Sequence, residues 1–516
     1  MKIKFSSCLL LLLLACLAVL LLTACGKSDP EDAEIRAVYD AYASYMAKSG
    51  ETPLTYEAWL ETVKGPKGDK GDPGQKGDPG RKGDPGRGIA SMEIVEGELF
   101  VTYTDGERVS LGTVMPTVSP AQTTAAPVTT VPVTTAPTPP ASEPGFRIGL
   151  ICLHDENSTM DKAFIDGIYG AAVEMGLDPQ TQVVIRRNVR EDTESYEEAV
   201  SLAEAGCDVI VANSYGHETF LLRAAEEYPD VEFCHVSGVM AHTSGLDNFH
   251  NVYPKIHEGR FLTGVVAGLK LIDMGLSGDV KVGYVGTFPY AEVISDYTAW
   301  YLGIRYAIAT YGEDTMNVTM SLRYANSWYN EATEYAVASA LIREGCVLIS
   351  QHSDSMGAPR ACEEAGVPNV AYNLSNLLMC PNTHLVSAYM DWGVCFRLLI
   401  AAVTAGEEIP TDYSGGLAAG AVKLTALNEA QLPAGTAEKV AEVAAALANG
   451  SLSVFDTDTF TVRGEHISSY RADVNYDYNF LPDTEVIEDG VFLEGEYRSA
   501  PYFDILIDGI TVGSDD

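Results

Sequence analysis

The chain has 516 residues and a mass of 55.4 kDa, and its 33 Lys and Arg against 72 Asp and Glu give a formal net charge of −39. A chain this acidic repels phosphate backbones, so we expect no nucleic-acid partner. Its hydrophobic fraction of 46% is ordinary for a folded protein and excludes disorder along the whole length. At roughly 150 residues per domain, the length favours several units.

The N-terminus has the pattern of a lipoprotein signal peptide. Lys2 and Lys4 precede an apolar run over residues 9–22, which is shorter than the ~20 residues that a membrane-spanning helix needs. The sequence Leu-Thr-Ala-Cys that ends at Cys25 resembles the site at which bacterial lipoprotein precursors are cleaved and acylated. We therefore expect residues 1–24 to be a signal peptide and Cys25 to carry the lipid that anchors the chain to the extracytoplasmic face of the cell membrane. A plain secretory signal is the alternative.

Residues 65–88 carry the most regular pattern in the chain, with eight glycines at a strict spacing of three. Only glycine fits the crowded axis of a collagen triple helix, so this spacing predicts a collagen-like segment. Two interpretations stay open. The segment forms a homotrimer through residues 65–88, or it is an extended monomeric linker, since so few triplets are marginal without a nucleus.

Three further segments surround the collagen-like repeats. Residues 25–64 predict a short helical segment, and residues 89–115 predict a β-hairpin that turns around Thr104-Asp105-Gly106. Residues 116–145 are rich in Thr and Pro, which is typical of an extended spacer that buries no core. Together, these segments predict a stalk between the membrane and the rest of the chain.

From residue 146 the pattern changes to apolar strands that alternate with amphipathic helices. One series opens at residues 147–153 and a second at residues 280–286. Short apolar strands separated by helices are typical of parallel sheets covered on both faces. The predicted fold class is therefore α/β, with two doubly wound lobes joined by a hinge over residues 146–456. In such folds, ligands bind at the carboxyl ends of the strands, and two lobes can close on them.

Polar and aromatic residues follow several of the predicted strands. They form six short stretches, at residues 154–157, 213–218, 326–329, 351–355, 372–373 and 391–392. Aromatic faces combined with amides and carboxylates suit a small polar ring compound. The alternatives are that an Asp or Asn at a strand end caps the next helix, and that Trp328 packs in the core.

Several stretches resemble the basic membrane protein (BMP) family of lipoproteins, which includes the purine nucleoside receptors. They are residues 207–216, 257–264, 283–294, 326–328, 349–355, 391–393 and 415–416. The resemblance covers about residues 146–456. It implies a type I periplasmic-binding-protein fold and the role of substrate-binding protein in an ABC importer, with an ABC permease as partner.

The same resemblance implies a ligand site. In nucleoside-binding relatives an aromatic pair sandwiches the base, and carboxylates hold the ribose. Trp328 stands at the position of one stacking aromatic. The loop at residues 154–159 departs from the family pattern and lacks the usual second aromatic, which Tyr215 would supply instead, and Asn373 stands where relatives often have aspartate. The expected ligand-binding residues are Asp155, Glu156, Asn157, Tyr215, Trp328, Asp354, Asn373 and Asp391.

Motifs of common catalytic sites are missing from the sequence, including GxSxG, HExxH, the Walker loop and CxxC. We therefore expect no enzyme, no cofactor and no metal. The leading hypothesis is a lipid-anchored binding protein that takes a purine nucleoside, a nucleobase or another small polar ring compound by hinge closure. The alternative is a surface scaffold or adhesin displayed on a trimeric collagen-like stalk, and a nucleoside hydrolase is a more distant third.

Two features remain beyond the resemblance. Most of the seven cysteines after residue 150 lie among apolar residues, which predicts small buried side chains rather than a disulfide scaffold; they are Cys152, Cys207, Cys234, Cys346, Cys362, Cys380 and Cys395. Residues 457–516 form an acidic C-terminal extension, in which residues 492–497 and 503–507 either add strands or wrap the lobes.

Overall fold

The computed structural model describes three strands between residues 89 and 113, and then residues 145–313, 316–474 and 481–513. The strands β1 (Ile89–Val95), β2 (Glu98–Tyr103) and β3 (Arg108–Thr113) form an antiparallel sheet in that order. The strands β2 and β3 flank the predicted turn, and β1 adds a third strand to the predicted hairpin. The predicted signal peptide, helical segment and collagen-like repeats, and the Thr/Pro-rich linker up to residue 144, lie outside the described residues.

The remaining described residues belong to a separate compact unit in which strands and helices alternate. Its strands are β4 (Ile148–Ile151), β5 (Val183–Arg186), β6 (Val209–Ala212), β7 (Glu232–Val236), β8 (Phe249–Val252), β9 (Gly278–Gly286), β10 (Met316–Tyr324), β11 (Ile349–Gln351), β12 (Asn369–Tyr372), β13 (His384–Met390), β14 (Asp412–Tyr413), β15 (Val422–Leu424), β16 (Arg471–Ala472), β17 (Thr484–Glu485), β18 (Ile487–Glu488), β19 (Val491–Phe492) and β20 (Ile510–Val512). Its helices are α1 (Thr159–Glu174), α2 (Pro179–Gln182), α3 (Thr193–Glu204), α4 (Glu218–Glu227), α5 (Ala241–Ser244), α6 (Ile256–Asp273), α7 (Ala291–Tyr311), α8 (Glu331–Arg343), α9 (Gly357–Ala365), α10 (Trp392–Ala405) and α11 (Thr436–Ala448).

The first lobe is built on a parallel sheet with the strand order β14-β8-β7-β6-β4-β5. Successive side chains of a strand point to opposite faces, and both faces here are apolar. In β6, Val209 and Val211 pack with one buried cluster, which includes Phe164 of α1, whereas Ile210 packs with another, which includes Leu221 of α4. The sheet is therefore covered by helices on both faces, as the continuous apolar strands predict.

The second lobe repeats this arrangement with the strand order β15-β13-β12-β11-β9-β10-β20. All its neighbouring strands are parallel except β13 and β15. Val282 and Tyr284 of β9 face the larger buried cluster, and Val285 faces the smaller one on the opposite side. The predicted architecture of two doubly wound lobes is confirmed.

The chain crosses between the lobes three times, at residues 253–255, at residue 391 and at residues 414–421, which we call the hinge segments. Backbone hydrogen bonds tie these crossings together. Tyr253 N donates to Tyr413 O (3.0 Å), and Asp391 N donates to Ala421 O (2.8 Å). A hinge made of a few such loop residues absorbs the backbone rotation when two lobes open or close.

Helices α6 and α7 pack side by side in the second lobe with unusually close backbones. A Cβ added to Gly264 would clash with the carbonyl oxygen of Trp300, and one added to Gly303 would clash with that of Phe261. Glycine at both positions therefore permits the approach, which brings Arg260 of α6 and Asp296 of α7 into contact.

Beyond α11 the chain packs into the second lobe. Phe455 and Phe503 stack with ring centroids 4.3 Å apart, and both belong to the same buried cluster as Val282. Strand β20 pairs in parallel with β10, with Ile510 opposite Met320. The acidic extension thus adds an edge strand at residues 510–512. Residues 503–507, for which a strand and a wrap around the lobes were both open, have an irregular backbone with Ile505 and Ile507 buried.

Two simpler observations complete the fold. All seven cysteines after residue 150 are buried and free, so their prediction as small core residues is confirmed. Within the described ranges, no helix has both the length and the apolar character needed to cross a bilayer.

Candidate ligand-binding site

A cleft lies between the lobes, where the carboxyl ends of the strands of both sheets meet. In each sheet the strand order reverses beside the first strand, between β4 and β6 and between β9 and β11. Ligands of open α/β sheets bind at such reversal points. The segments after β4, β6 and β7 supply one wall of the cleft, and the segments after β9, β10, β11 and β12 supply the other.

The lining of the cleft is a mixture of aromatic, acidic and imidazole side chains. It consists of Leu153, His154, Met160, Asp161, Asn213, Ser214, Tyr215, Ser237, Glu292, Trp328, His352, Asp354 and Tyr372. The cavity volume open to the centres of water molecules is only about 40 Å³, which holds a few waters at most. The lobes are therefore close together, and hydrogen bonds join them between Thr159 and Asp354.

Asp161, in the first turn of α1, organises the wall of the first lobe. Its carboxylate accepts a hydrogen bond from Asn213 Nδ2 (2.7 Å) and lies 3.5 Å from His154 Nδ1. Burial favours the neutral acid, but these contacts outweigh it and lower the pKa of Asp161. The backbone N–H of Asp161 is capped by Ser158 Oγ (3.3 Å), which fixes the start of the helix beneath the cleft.

His352 organises the wall of the second lobe through a buried charge network. Its Nδ1 lies 3.3 Å from Asp296 Oδ2, and its Nε2 lies 3.6 Å from Glu292 Oε1. Asp296 in turn accepts from Arg260 Nε (2.7 Å), and the Arg260 guanidinium lies over the ring of Tyr372 at 3.7 Å. Burial opposes a charge on His352, but the two carboxylates outweigh it and raise its pKa to about 9.

Asp354 bridges the two lobes. Its Oδ1 accepts from Thr159 Oγ1 of the first lobe (3.2 Å) and from Asn373 Nδ2 of the second (3.1 Å), and its backbone oxygen accepts from Thr159 N (3.0 Å). Burial raises the pKa of its carboxyl to about 7, with the nearby Asp161 adding to the effect. The side chain and the backbone of Asp354 therefore both hold the two lobes together at this point.

Aromatic rings from both lobes meet at the edge of the cleft. Tyr215 of the first lobe stacks on Tyr290 of the second, with ring centroids 5.3 Å apart. Phe288 also stacks on Tyr290, and it contacts Trp328 edge to face with ring centroids 5.1 Å apart. Trp328 also lies 6.2 Å from the ring of His352; it lines the cleft and at the same time packs against the buried cluster of the second lobe.

The structure brings three of the eight predicted ligand-binding residues to the cleft lining, namely Tyr215, Trp328 and Asp354. Asn373 lies behind Asp354 as its hydrogen-bond donor. Asp391 caps α10 through Gly393 N (3.1 Å) and pairs with Lys423.

The other three predicted residues lie in the loop after β4, outside the lining. Glu156 pairs with Arg187 at 2.6 Å, and Asp155 accepts from the backbone and side chain of Asn157. Contact with a ligand stays a prediction for all eight residues.

Two carboxylates of the lining were not among the predicted residues. Asp161 and Glu292 stand in the first turns of α1 and α7, where acidic residues are common because they complement the helix dipole. His352 lies in one of the six polar stretches, but the sequence gives no sign that Asp296, 56 positions earlier, holds it. Within the described ranges, no group of His, Cys, Asp and Glu is arranged to hold a metal ion.

Residues 148–449, more than half of the chain, match the Bmp family, described as ABC transporter substrate-binding protein PnrA-like. A purine-binding protein of Brucella abortus is 25% identical over 279 residues, which cover 54% of this chain and 74% of the relative. A putative ABC transporter glucose-binding protein of Haloferax volcanii is 29% identical over 218 residues, which cover 42% of this chain. The chain spans about half (51%) of that second relative's length.

Among solved structures, an ABC transporter solute-binding protein of Aeropyrum pernix K1 superposes with a TM-score of 0.50 at 16% identity. The match covers 62% of this chain and 94% of that one. At this identity the likeness concerns the fold alone. It agrees with the two-lobed type I periplasmic-binding-protein fold that the resemblance implies and that the sheets display.

Proposed function

The chain belongs to the Bmp family of PnrA-like ABC transporter substrate-binding proteins, and on that basis we propose that it binds a purine nucleoside or nucleobase between its lobes and releases it to an ABC permease. The family consists of solute-binding proteins, not enzymes. The observation that carries the proposal is the cleft itself, which places Trp328 and Tyr215 beside Asp161, Glu292 and Asp354. Rings stack on aromatic faces, and carboxylates accept the N–H and O–H groups of bases and ribose.

The charges of the cleft support an uncharged ligand. Its lining contains three carboxylates, and among the described residues that form it there is no lysine or arginine. A phosphate group would face these carboxylates, and the charged His352 is already paired with Asp296 and Glu292, so binding a phosphate would carry a high electrostatic cost in a closed site. The proposed ligand is therefore a nucleoside or base and not a nucleotide.

The lipid anchor and the ABC permease are part of the same proposal. Acylation at Cys25 would hold the protein at the membrane, where the permease lies, and residues 65–88 and 116–145 would act as the spacer. The Thr159–Asp354 contact between the lobes supports hinge closure as the way in which the ligand is enclosed.

The test is a thermal-shift and calorimetric panel with adenosine, inosine, adenine, AMP and glucose. A ligand at about 100 times its Kd adds about 2.7 kcal/mol to the free energy of unfolding, so we expect adenosine, inosine or adenine to raise Tm by several degrees. AMP should give no shift. Asp354→Asn, which keeps the shape of the side chain, is the control that assigns a shift to the cleft.

A shift with glucose alone would replace the purine ligand by a sugar, as in the name of the Haloferax relative. A panel without any shift, together with no small molecule released on denaturing the purified protein, would contradict the proposed ligand class.

A further inference from the structure

The acidic tail beyond the family match is built into the second lobe. The match ends at residue 449, yet Phe460, Phe492 and Phe503 are 0–2% exposed and share the core cluster of that lobe. Strand β20 extends its sheet at the edge. The tail is therefore anchored in the core of the second lobe, so any part of it that reaches another region stays fixed to this lobe.

One part of the tail, residues 493–502, runs along the hinge, and we call it the strap. Glu496 forms an ion pair with Lys255 of the first hinge segment. Gly495 has a φ of 78°, and a Cβ added there would lie 3.1 Å from Ser414 Oγ and 3.4 Å from Lys255 Cε. The strap therefore touches two of the three hinge segments at one point.

The strap also reaches the first lobe. Ser499 N donates to Asp412 Oδ2 at 3.0 Å. Asp412 belongs to β14, which pairs with β8 in the sheet of the first lobe, and its side chain is 7% exposed. The backbone N–H of Ser499, which is fixed to the second lobe, thus binds the buried carboxylate of Asp412 in the first lobe.

Internal hydrogen bonds give the strap a defined shape. Glu494 Oε2 accepts from Tyr502 N (3.2 Å) and Phe503 N (3.0 Å). The guanidinium of Arg498, which is 8% exposed, donates to the backbone oxygens of Ala500, Pro501 and Asp473. A loop that satisfies its own polar groups in this way can act as a rigid body.

From these contacts we propose that the strap is a conformational latch that stabilises the closed arrangement of the lobes. Opening rotates the first lobe, and Asp412 with it, about the hinge segments, while Ser499 N stays with the second lobe. The Ser499–Asp412 hydrogen bond and the packing at Gly495 are then disturbed, so the strap adds to the free energy of opening. The inference requires that the lobes move, but it does not require the ligand to be a purine.

The test compares Gly495→Ala with Gly490→Ala. Both glycines have a positive φ, of 78° and 82°, so alanine strains the backbone at both. The Cβ at residue 490 meets only Thr457 Oγ1, at 3.8 Å within the tail, whereas the one at residue 495 meets the hinge. Gly490→Ala therefore controls for strain without contact to the hinge.

The readout is hydrogen exchange of the Thr159 amide, measured by mass spectrometry on the full chain without ligand. This amide donates across the cleft to Asp354 O, so it exchanges when the lobes part. We expect Gly495→Ala to speed its exchange by about three- to tenfold over both wild type and Gly490→Ala, as the loss of one or two net hydrogen bonds would. Equal exchange in the two variants would overturn the latch.

A second pair of substitutions keeps the proposal testable if Gly495→Ala does not fold. Lys255→Met and Glu496→Gln each remove the ion pair at the hinge, and Glu496 is 54% exposed, so folding should survive. We expect each to speed Thr159 exchange by about twofold and the double variant to add nothing further, because the two side chains act as one pair. If the two substitutions had additive effects on Thr159 exchange, or no effect, this would contradict the proposal that the ion pair acts through the strap. If adenosine also binds, its dissociation should quicken in the same variants.

Discussion

His352 is a buried histidine at the ligand cleft that the fold keeps charged. It is 2% exposed, and the carboxylates of Asp296 and Glu292 face its two ring nitrogens. Asp296 is itself held by Arg260, which is fully buried. Breaking such a network from one side leaves an uncompensated charge, so each member depends on the others.

We expect His352→Gln to change how stability depends on pH. The pKa of His352 rises from 6.5 to about 9 on folding, so its contribution is fully present below pH 6.5 and is lost as pH rises through 9. The free energy of unfolding of wild type relative to His352→Gln should therefore fall between pH 6.5 and 9.5, by up to about 3 kcal/mol. Urea denaturation across this range measures it.

His466→Gln, in the exposed part of the tail, serves as the control and should follow the wild-type profile. If the free energies of unfolding of wild type and His352→Gln differed by the same amount at all pH values, His352 would not be held in its charged form.

We propose that the ligand stacks on the ring face of Trp328, which lines the cleft. We expect Trp328→Ala to weaken binding of whichever purine the panel identifies by about 1–3 kcal/mol, since a lost stacking contact has that magnitude. The backbone oxygen of Trp328 accepts from Asp354 N, and the substitution keeps this bond, so Asp354 should stay in place.

Calorimetric titration measures the effect, and Trp328→Phe, which retains a ring, should lose less affinity than the alanine variant. Wild-type affinity in Trp328→Ala would assign the side chain to packing.

At the residue scale, sequence reasoning located the loops of the site better than the side chains within them. Tyr215, Trp328 and Asp354 line the cleft, because residues after buried parallel strands converge at one edge. Asp391 also follows a strand, but its carboxylate caps α10. A strand-end aspartate serves either role, and which one it serves depends on where the next helix begins, which the sequence does not show.

At the scale of elements, the lobes follow from local pattern. The predicted opening of the first series at residues 147–153 contains β4, and that of the second series at residues 280–286 lies within β9. Apolar runs bounded by glycines and polar turns carry this information locally.

The backbone conformation of the tail, in contrast, does not follow from its local sequence pattern. Residues 503–507 resemble a strand, but Ile505 and Ile507 fill the core from an irregular segment. An apolar run can be buried without forming a strand, because a strand also needs a free sheet edge to pair with. Whether such an edge is free depends on the neighbouring elements of the fold.

The pairing of β20 with β10 makes the tail part of the second lobe, which a pair of alanine substitutions tests. Ile510 is 6% exposed and Val512, two residues later on the same strand, is 42% exposed. We expect Ile510→Ala to lower the free energy of unfolding of this lobe by about 2–4 kcal/mol through the cavity it leaves. Val512→Ala should change it by less than about 0.5 kcal/mol.

Urea denaturation followed by tryptophan fluorescence compares the two variants, because Trp300 and Trp328 report on the second lobe and Trp392 of α10 reports on the first. Equal effects of Ile510→Ala and Val512→Ala would mean that the tail does not share the core of that lobe.

At the scale of the whole molecule, the chain combines a binding unit with a predicted stalk. The collagen-like residues 65–88 would span about 75 Å at about 3.1 Å per residue, and the Thr/Pro-rich residues 116–145 add further reach. If the chain is anchored as proposed, such a tether would keep the binding unit at a high effective concentration near an ABC permease. Whether three chains associate through the repeats does not alter this role.

The tether works only if its first residue is attached to the membrane, which Cys25→Ser tests. Acylation requires the cysteine of Leu-Thr-Ala-Cys, so the variant should lose palmitate labelling. Cys16→Ser is the matched control, because Cys16 lies in the same predicted signal peptide but within its apolar run, and this variant should remain labelled. Equal labelling of Cys25→Ser and wild type would contradict acylation at Cys25. The ligand affinity should be the same in both variants, since the cleft lies in a unit of its own.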